Sequence, residues 1–138
     1  MKKKWILLAA GVLLLFAVVV CSDSKGMAVN HVLRNQEKLT AHALRCMDEP
    51  ESATKYGSWD TDYRSDYRIV EFEVSYGGFG SQYDARGFYY SPQDEACGLG
   101  NDIRQELMGE GVKFFGEGDN YTYVEKITDQ WYWYEMHW

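Results

Sequence analysis

The pattern of apolar and polar positions divides the chain into an apolar run, one amphipathic helix and a series of strands. Apolar side chains recur at three- and four-residue steps from Met27 to Met47, which is typical of a helix with one buried face. Asp48-Glu49-Pro50 ends this helix, because the residue before a proline disfavours helical geometry. Residues 48–66 show no clear period and are predicted to form a loop or a poorly paired edge.

Beyond residue 66, apolar and polar residues alternate, as expected for strands with one buried face. The predicted strands cover residues 67–76, 86–90, 121–127 and 131–138. A hairpin signal at Gly109-Glu110-Gly111 separates two further segments, the first of which would also suit a helix. One helix followed by four to six antiparallel strands predicts an α+β domain, with the helix packed on the sheet, cystatin-like in outline.

The N-terminus has the pattern of a membrane anchor or signal segment. Lys2-Lys3-Lys4 precedes an uncharged run of 17 residues from Trp5 to Cys21. Basic residues before an apolar run keep that end in the cytoplasm and place the rest outside. The segment is retained as an anchor, cleaved near Cys21, or lipidated at Cys21, and its length does not decide between these outcomes. The expected organisation is therefore an anchor or signal in residues 1–25 and an extracytoplasmic domain in residues 26–138.

Composition narrows the class of protein. A chain of 138 residues favours one domain, and 22 aromatic residues exclude a disordered acidic chain. Without the three N-terminal lysines, 11 basic residues face 21 acidic ones, a charge of about −10. Such a balance argues against nucleic acid as a partner. Three isolated histidines and no Cys-x-x-Cys pair predict no metal site, and no cofactor motif is present.

Two cysteines remain for the domain, Cys46 and Cys97. Outside the cytoplasm this pair is expected to form a disulfide. A closed loop of about 50 residues would stabilise the fold by roughly 4 kcal/mol on the chain-entropy model. The alternative is two separate buried thiols that act as small apolar side chains.

Three segments in the C-terminal half resemble small uncharacterised exported proteins of Gram-positive bacteria. They are Gly87-Phe88-Tyr89-Tyr90-Ser91-Pro92, Gly116-Glu117-Gly118-Asp119-Asn120 and Trp131-Tyr132-Trp133-Tyr134-Glu135. No activity is known for that group. The resemblance implies a bacterial, extracytoplasmic setting and carries over no functional residue.

The aromatic C-terminus is the leading candidate for a binding surface. Trp131, Tyr132, Trp133, Tyr134 and Trp138 exceed what a small core requires, and exposed Trp and Tyr bind partners through flat apolar contact with a polar tip. The predicted binding residues are Trp131, Tyr132, Trp133 and Tyr134. In the alternative interpretation, one face of this strand is core and the other packs on the helix or at the sheet edge.

Asp60, Asp62 and Asp66 alternate in a polar segment, but they do not fit the twelve-residue calcium-loop pattern.

These features favour a non-enzymatic, membrane-tethered interaction domain for an unknown protein or cell-envelope ligand. One alternative is a small exported hydrolase that acts on cell-envelope material, for which His42, Cys46, Glu71 and Glu73 are the only candidates. Another is an accessory subunit of an envelope assembly. The expected location is the cell membrane, single-pass with the domain outside, or else a secreted protein or lipoprotein.

Overall fold

The computed structural model describes residues 24–138, which form the C-terminal part of one helix and an antiparallel sheet. The helix is α1 (Lys2–Asp48), described from Ser24 onward. The strands are β1 (Lys55–Tyr56), β2 (Trp59–Arg64), β3 (Ile69–Phe79), β4 (Gln82–Tyr90), β5 (Arg104–Met108), β6 (Gly111–Phe115), β7 (Tyr121–Thr128) and β8 (Trp131–His137). Their order in the sheet is β1-β2-β3-β4-β8-β7-β6-β5, and every neighbouring pair is antiparallel.

The predicted fold class, with four to six strands in a cystatin-like outline, is wrong. The sheet has eight strands, because residues 55–64 form β1 and β2 where a loop or poorly paired edge was expected. Trp59, Thr61 and Tyr63 alternate along β2 with Asp60, Asp62 and Arg64. Both faces of β2 therefore carry polar atoms, so the alternation of apolar and polar residues does not identify β2 as a strand.

One core lies between α1 and the sheet. Val32 and Leu39 of the helix are fully buried there, together with Phe72, Phe88 and Trp133 of the central strands. Phe72 and Phe88 stack with ring centroids 4.8 Å apart. Of the apolar positions that recur along the helix, Val32, Leu39 and Ala43 belong to this core, whereas Leu33 and Leu44 are exposed.

The second core lies on the opposite face of the sheet, beneath the connection between β4 and β5. Leu99 of that connection is buried against Tyr89, Tyr132 and Tyr134. Asp94 holds the connection in place, since its carboxylate accepts hydrogen bonds from the Gln130 amide at 2.7 Å and the Tyr132 hydroxyl at 2.9 Å. The central strands are thus covered on both faces. Near β2 and β3, the face opposite α1 stays open.

The predicted membrane or signal segment, with Cys21, falls on residues 1–23 and lies outside the described residues. Within residues 24–138, no helix has both the length and the apolar character needed to cross a bilayer.

The predicted Cys46–Cys97 disulfide is not formed. Both thiols are free in the described structure. Cys46 belongs to the core under α1, and Cys97 packs against the core on the other face of the sheet. The sheet separates the two residues. The structure therefore contains two separate thiols, as in the alternative interpretation.

Both thiols are expected to resist alkylation in the folded protein and to react only after unfolding. Burial raises the pKa of the Cys46 thiol and raises the pKa of Cys97 to about 11, so little thiolate forms near neutral pH. The measurement is native and denaturing alkylation followed by peptide mass mapping. An intact mass that rises by two hydrogens on reduction, with the bridge mapped to Cys46 and Cys97, would contradict this arrangement.

Candidate functional site

An open groove of about 420 Å³ lies on the sheet face opposite α1. This acidic groove is lined by carboxylates from β2 and β3 and by two aromatic side chains on its other side. These residues are Asp60, Asp62, Glu71, Glu73, Tyr83 and Trp138, and the basic side chain of Arg64 lines the same groove. The β4–β5 connection ends beside it at Leu99 and Gly100, so the groove lies where the cover over the second core stops.

The carboxylates come together through the strand register. Asp60 lies directly opposite Glu73, and Asp62 lies directly opposite Glu71. Like charges directly opposite each other on neighbouring strands destabilise a sheet. The groove therefore concentrates negative charge at a cost to the fold.

Glu71 is held on the groove floor by side chains from two other strands, β2 and β8. It is only 9% exposed, and its Oε1 accepts a hydrogen bond of 2.5 Å from the Tyr134 hydroxyl. Arg64 Nη1 lies 3.4 Å from its other oxygen. Tyr134 is on β8, so its phenol crosses β4 at Gly87, which is its register partner. A Cβ at Gly87 would lie 2.8 Å from the Tyr134 hydroxyl, which is why this strand position needs glycine.

The other acidic residues are less fully compensated. Asp60 pairs with Lys55 at 2.5 Å, but both side chains are exposed, so the pair contributes little. Among residues 24–138, no basic side chain lies within ion-pair distance of Asp62 or Glu73. Burial, followed by repulsion from Glu71 and Asp60, raises the pKa of Glu73.

The aromatic side of the groove adds apolar surface and one polar group. Burial, followed by the nearby carboxylates Glu73 and Glu71, raises the pKa of Tyr83. Backbone hydrogen bonds of 3.0 and 2.8 Å join Tyr83 to Trp138 and anchor the end of the chain. The buried indole N–H of Trp138 has no acceptor among the residues described by the structure.

The four aromatic residues predicted to bind a partner are buried. Trp131, Tyr132, Trp133 and Tyr134 are between 0% and 5% exposed. The two tryptophans belong to the core under α1 and the two tyrosines to the core on the other face. Strand β8 lies between β4 and β7, and its two faces are covered by α1 and by the β4–β5 connection, so these aromatics are core.

His42 and Cys46 do not form a nucleophile–base pair. Cys46 Sγ donates to the Ala53 carbonyl at 3.0 Å, and His42 Nε2 lies 3.3 Å from Thr61 Oγ1. Arg45 Nη2 lies 3.2 Å from His42 Nδ1 and can donate to it. Burial, followed by Arg45, lowers the pKa of His42, while burial raises that of the Cys46 thiol. These shifts disfavour a thiolate–imidazolium pair, and the contacts tie the helix end to β2.

Asp60 and Asp62 share the groove with Glu71 and Glu73, whereas Asp66 lies outside its lining, 3.9 Å from Arg64 Nε. In the part of the chain that the structure describes, no group of three or more His, Cys, Asp or Glu side chains could hold a metal ion.

The chain matches no family model, no curated protein and no solved structure.

Alternation along the sequence places Glu71 and Glu73 on one strand face, whereas Asp60 and Asp62 lie in a segment predicted to be a loop, so the sequence does not bring the four acidic residues together. Trp138 belongs to the aromatic C-terminus that the sequence singles out, and Tyr83 has no signal of its own. Only the pairing of β4 with β8 brings these two aromatic side chains to the groove.

Proposed function

We propose that the protein is a non-enzymatic binding domain, held outside the cytoplasmic membrane by its N-terminal segment, whose acidic groove binds a basic segment of a partner protein. The observation that carries the proposal is the pair Asp62 and Glu73. Two carboxylates without a basic partner in the described residues face a concave, aromatic-walled surface.

A lysine or arginine side chain fits this surface in two ways. Its charge would relieve the repulsion within the cross-strand acidic pairs. Its aliphatic stem would pack on Tyr83 and Trp138, where the aromatic faces also attract a cation. Charge and apolar surface together thus match a basic peptide segment.

The binding experiment uses the full chain in detergent micelles, titrated calorimetrically with a hexalysine peptide and, separately, a hexaglutamate peptide. We expect saturable binding of hexalysine alone. Glu73→Gln and Asp62→Asn should each weaken it by roughly tenfold or more, since a hydrogen bond to a charged group contributes about 1.5–3 kcal/mol.

The matched control is Glu110→Gln, which makes the same charge change in the exposed turn between β5 and β6. It should bind like the unaltered chain. If all three variants weaken binding equally, the interaction depends on net charge and the groove is not the site.

A small exported hydrolase is the second candidate, and one observation favours it. Glu73, whose pKa is raised, lies two positions from Glu71 on the same strand face, and glycoside hydrolysis uses two carboxyl groups of which one acts as a general acid. Turnover of cell-wall glycan by the full chain, abolished by Glu73→Gln and kept by Glu110→Gln, would establish this activity in place of simple binding.

A further inference from the structure

The edge strand β5 is the most exposed regular element of the described sheet. All five of its residues are exposed, and β6 is its only strand partner within residues 24–138. Leu107 is 89% exposed, and Ile103, just before the strand, is 69% exposed. An edge with open backbone groups and exposed apolar side chains is a template for pairing with another strand.

The sequence of this edge is complementary to itself when two copies run antiparallel. In the register centred on Gln105, Arg104 of one copy lies opposite Glu106 of the other, and the pair occurs twice. The same register places Ile103 opposite Leu107, also twice. Shifting the register by one residue replaces both charge pairs with contacts between a charged residue and Gln105 or an apolar residue. Cross-strand pairs are the unit of sheet stabilisation, so one register is favoured.

The faces of the strand agree with this register. Leu107 pairs with Val112 across β5 and β6, on the side of the second core, while Arg104 pairs with Phe115 on the side of the helix. The Arg104 guanidinium lies 4.1 Å from the Phe115 ring centroid, and Arg104 also forms an ion pair with Glu106 on its own strand. The apolar pairs and the charged pairs would therefore lie on opposite faces of the joined sheet.

We propose that two copies of this chain pair antiparallel through β5 about a two-fold axis at Gln105, which joins their sheets into one. This pairing does not involve the acidic groove, because no residue of β5 lines it.

Charge reversal tests the register through the self-association of the full chain. Arg104→Glu places acid opposite acid, and Glu106→Arg places base opposite base, so each variant alone should dimerise roughly tenfold or more weakly. An equimolar mixture should recover dimers, because every cross-strand charge pair is then opposite in sign. The measurement is sedimentation equilibrium in a density-matched detergent, and circular dichroism verifies that each variant is folded.

In the double variant Arg104→Glu/Glu106→Arg, both cross-strand pairs between two identical copies are again opposite in charge. This variant should dimerise like the unaltered protein. The proposal is overturned if the unaltered chain stays monomeric at all concentrations reached. It is equally overturned if a dimer forms that neither single variant weakens, because that dimer uses another surface.

Discussion

Trp133→Ala is expected to destabilise the domain by about 3–5 kcal/mol, the cost of truncating a fully buried tryptophan. Trp133 is 0% exposed, lies opposite Phe88 of β4 and belongs to the core under α1. A domain of this size has a free energy of unfolding of only about 5–15 kcal/mol, so the loss would remove a large part of it. Urea unfolding of the full chain, followed by circular dichroism, measures the change.

Phe79→Ala is the matched control, since Phe79 is 95% exposed at the end of β3. Its replacement should change the free energy of unfolding by no more than about 0.5 kcal/mol. A Trp133→Ala protein as stable as the unaltered one, but unable to bind its partner, would restore the exposed aromatic surface that the burial of β8 argues against.

Gly87→Ala is expected to destabilise the domain by about 2–6 kcal/mol. The added Cβ would lie 2.1 Å from the Phe72 carbonyl oxygen, a backbone atom that cannot turn aside. It would also push the Tyr134 phenol away from Glu71 and leave a buried carboxylate without its hydrogen-bond donor. Overpacking costs about 1–3 kcal/mol, and the lost hydrogen bond adds about 1–3 kcal/mol.

Gly77→Ala provides the comparison, because a Cβ at Gly77 meets no atom within 4 Å. Its stability should stay within about 0.5 kcal/mol of the unaltered chain in the same urea titration. Equal stability of the two alanine variants would show that the Tyr134 phenol does not cross β4 at Gly87 to reach Glu71.

The sequence predicts those parts of the fold in which one face is apolar and the other polar. The helix from Met27 to Met47 has such a period, and the alternation of Phe72 with Glu71 and Glu73 places two groove residues on one face. Strand β5 is exposed at every position, so burial imposes no alternation on it.

Long-range topology accounts for the features of the structure that the sequence does not predict. The aromatics of β8 are abundant because the strand is central and covered on both faces, which composition alone does not reveal. Cys46 and Cys97 form an even pair in the sequence, yet the sheet lies between them. The acidic groove likewise exists only once β2 pairs with β3 and the chain end meets Tyr83.

The most direct test of the central claim is the indole N–H resonance of Trp138 in a ¹⁵N-labelled full chain, identified with Trp138→Phe and followed as hexalysine is added. A basic segment in the acidic groove predicts a saturable shift of this resonance, loss of that shift in Glu73→Gln, and stationary signals from the buried Trp131 and Trp133. Binding that leaves the Trp138 resonance unmoved would contradict the account.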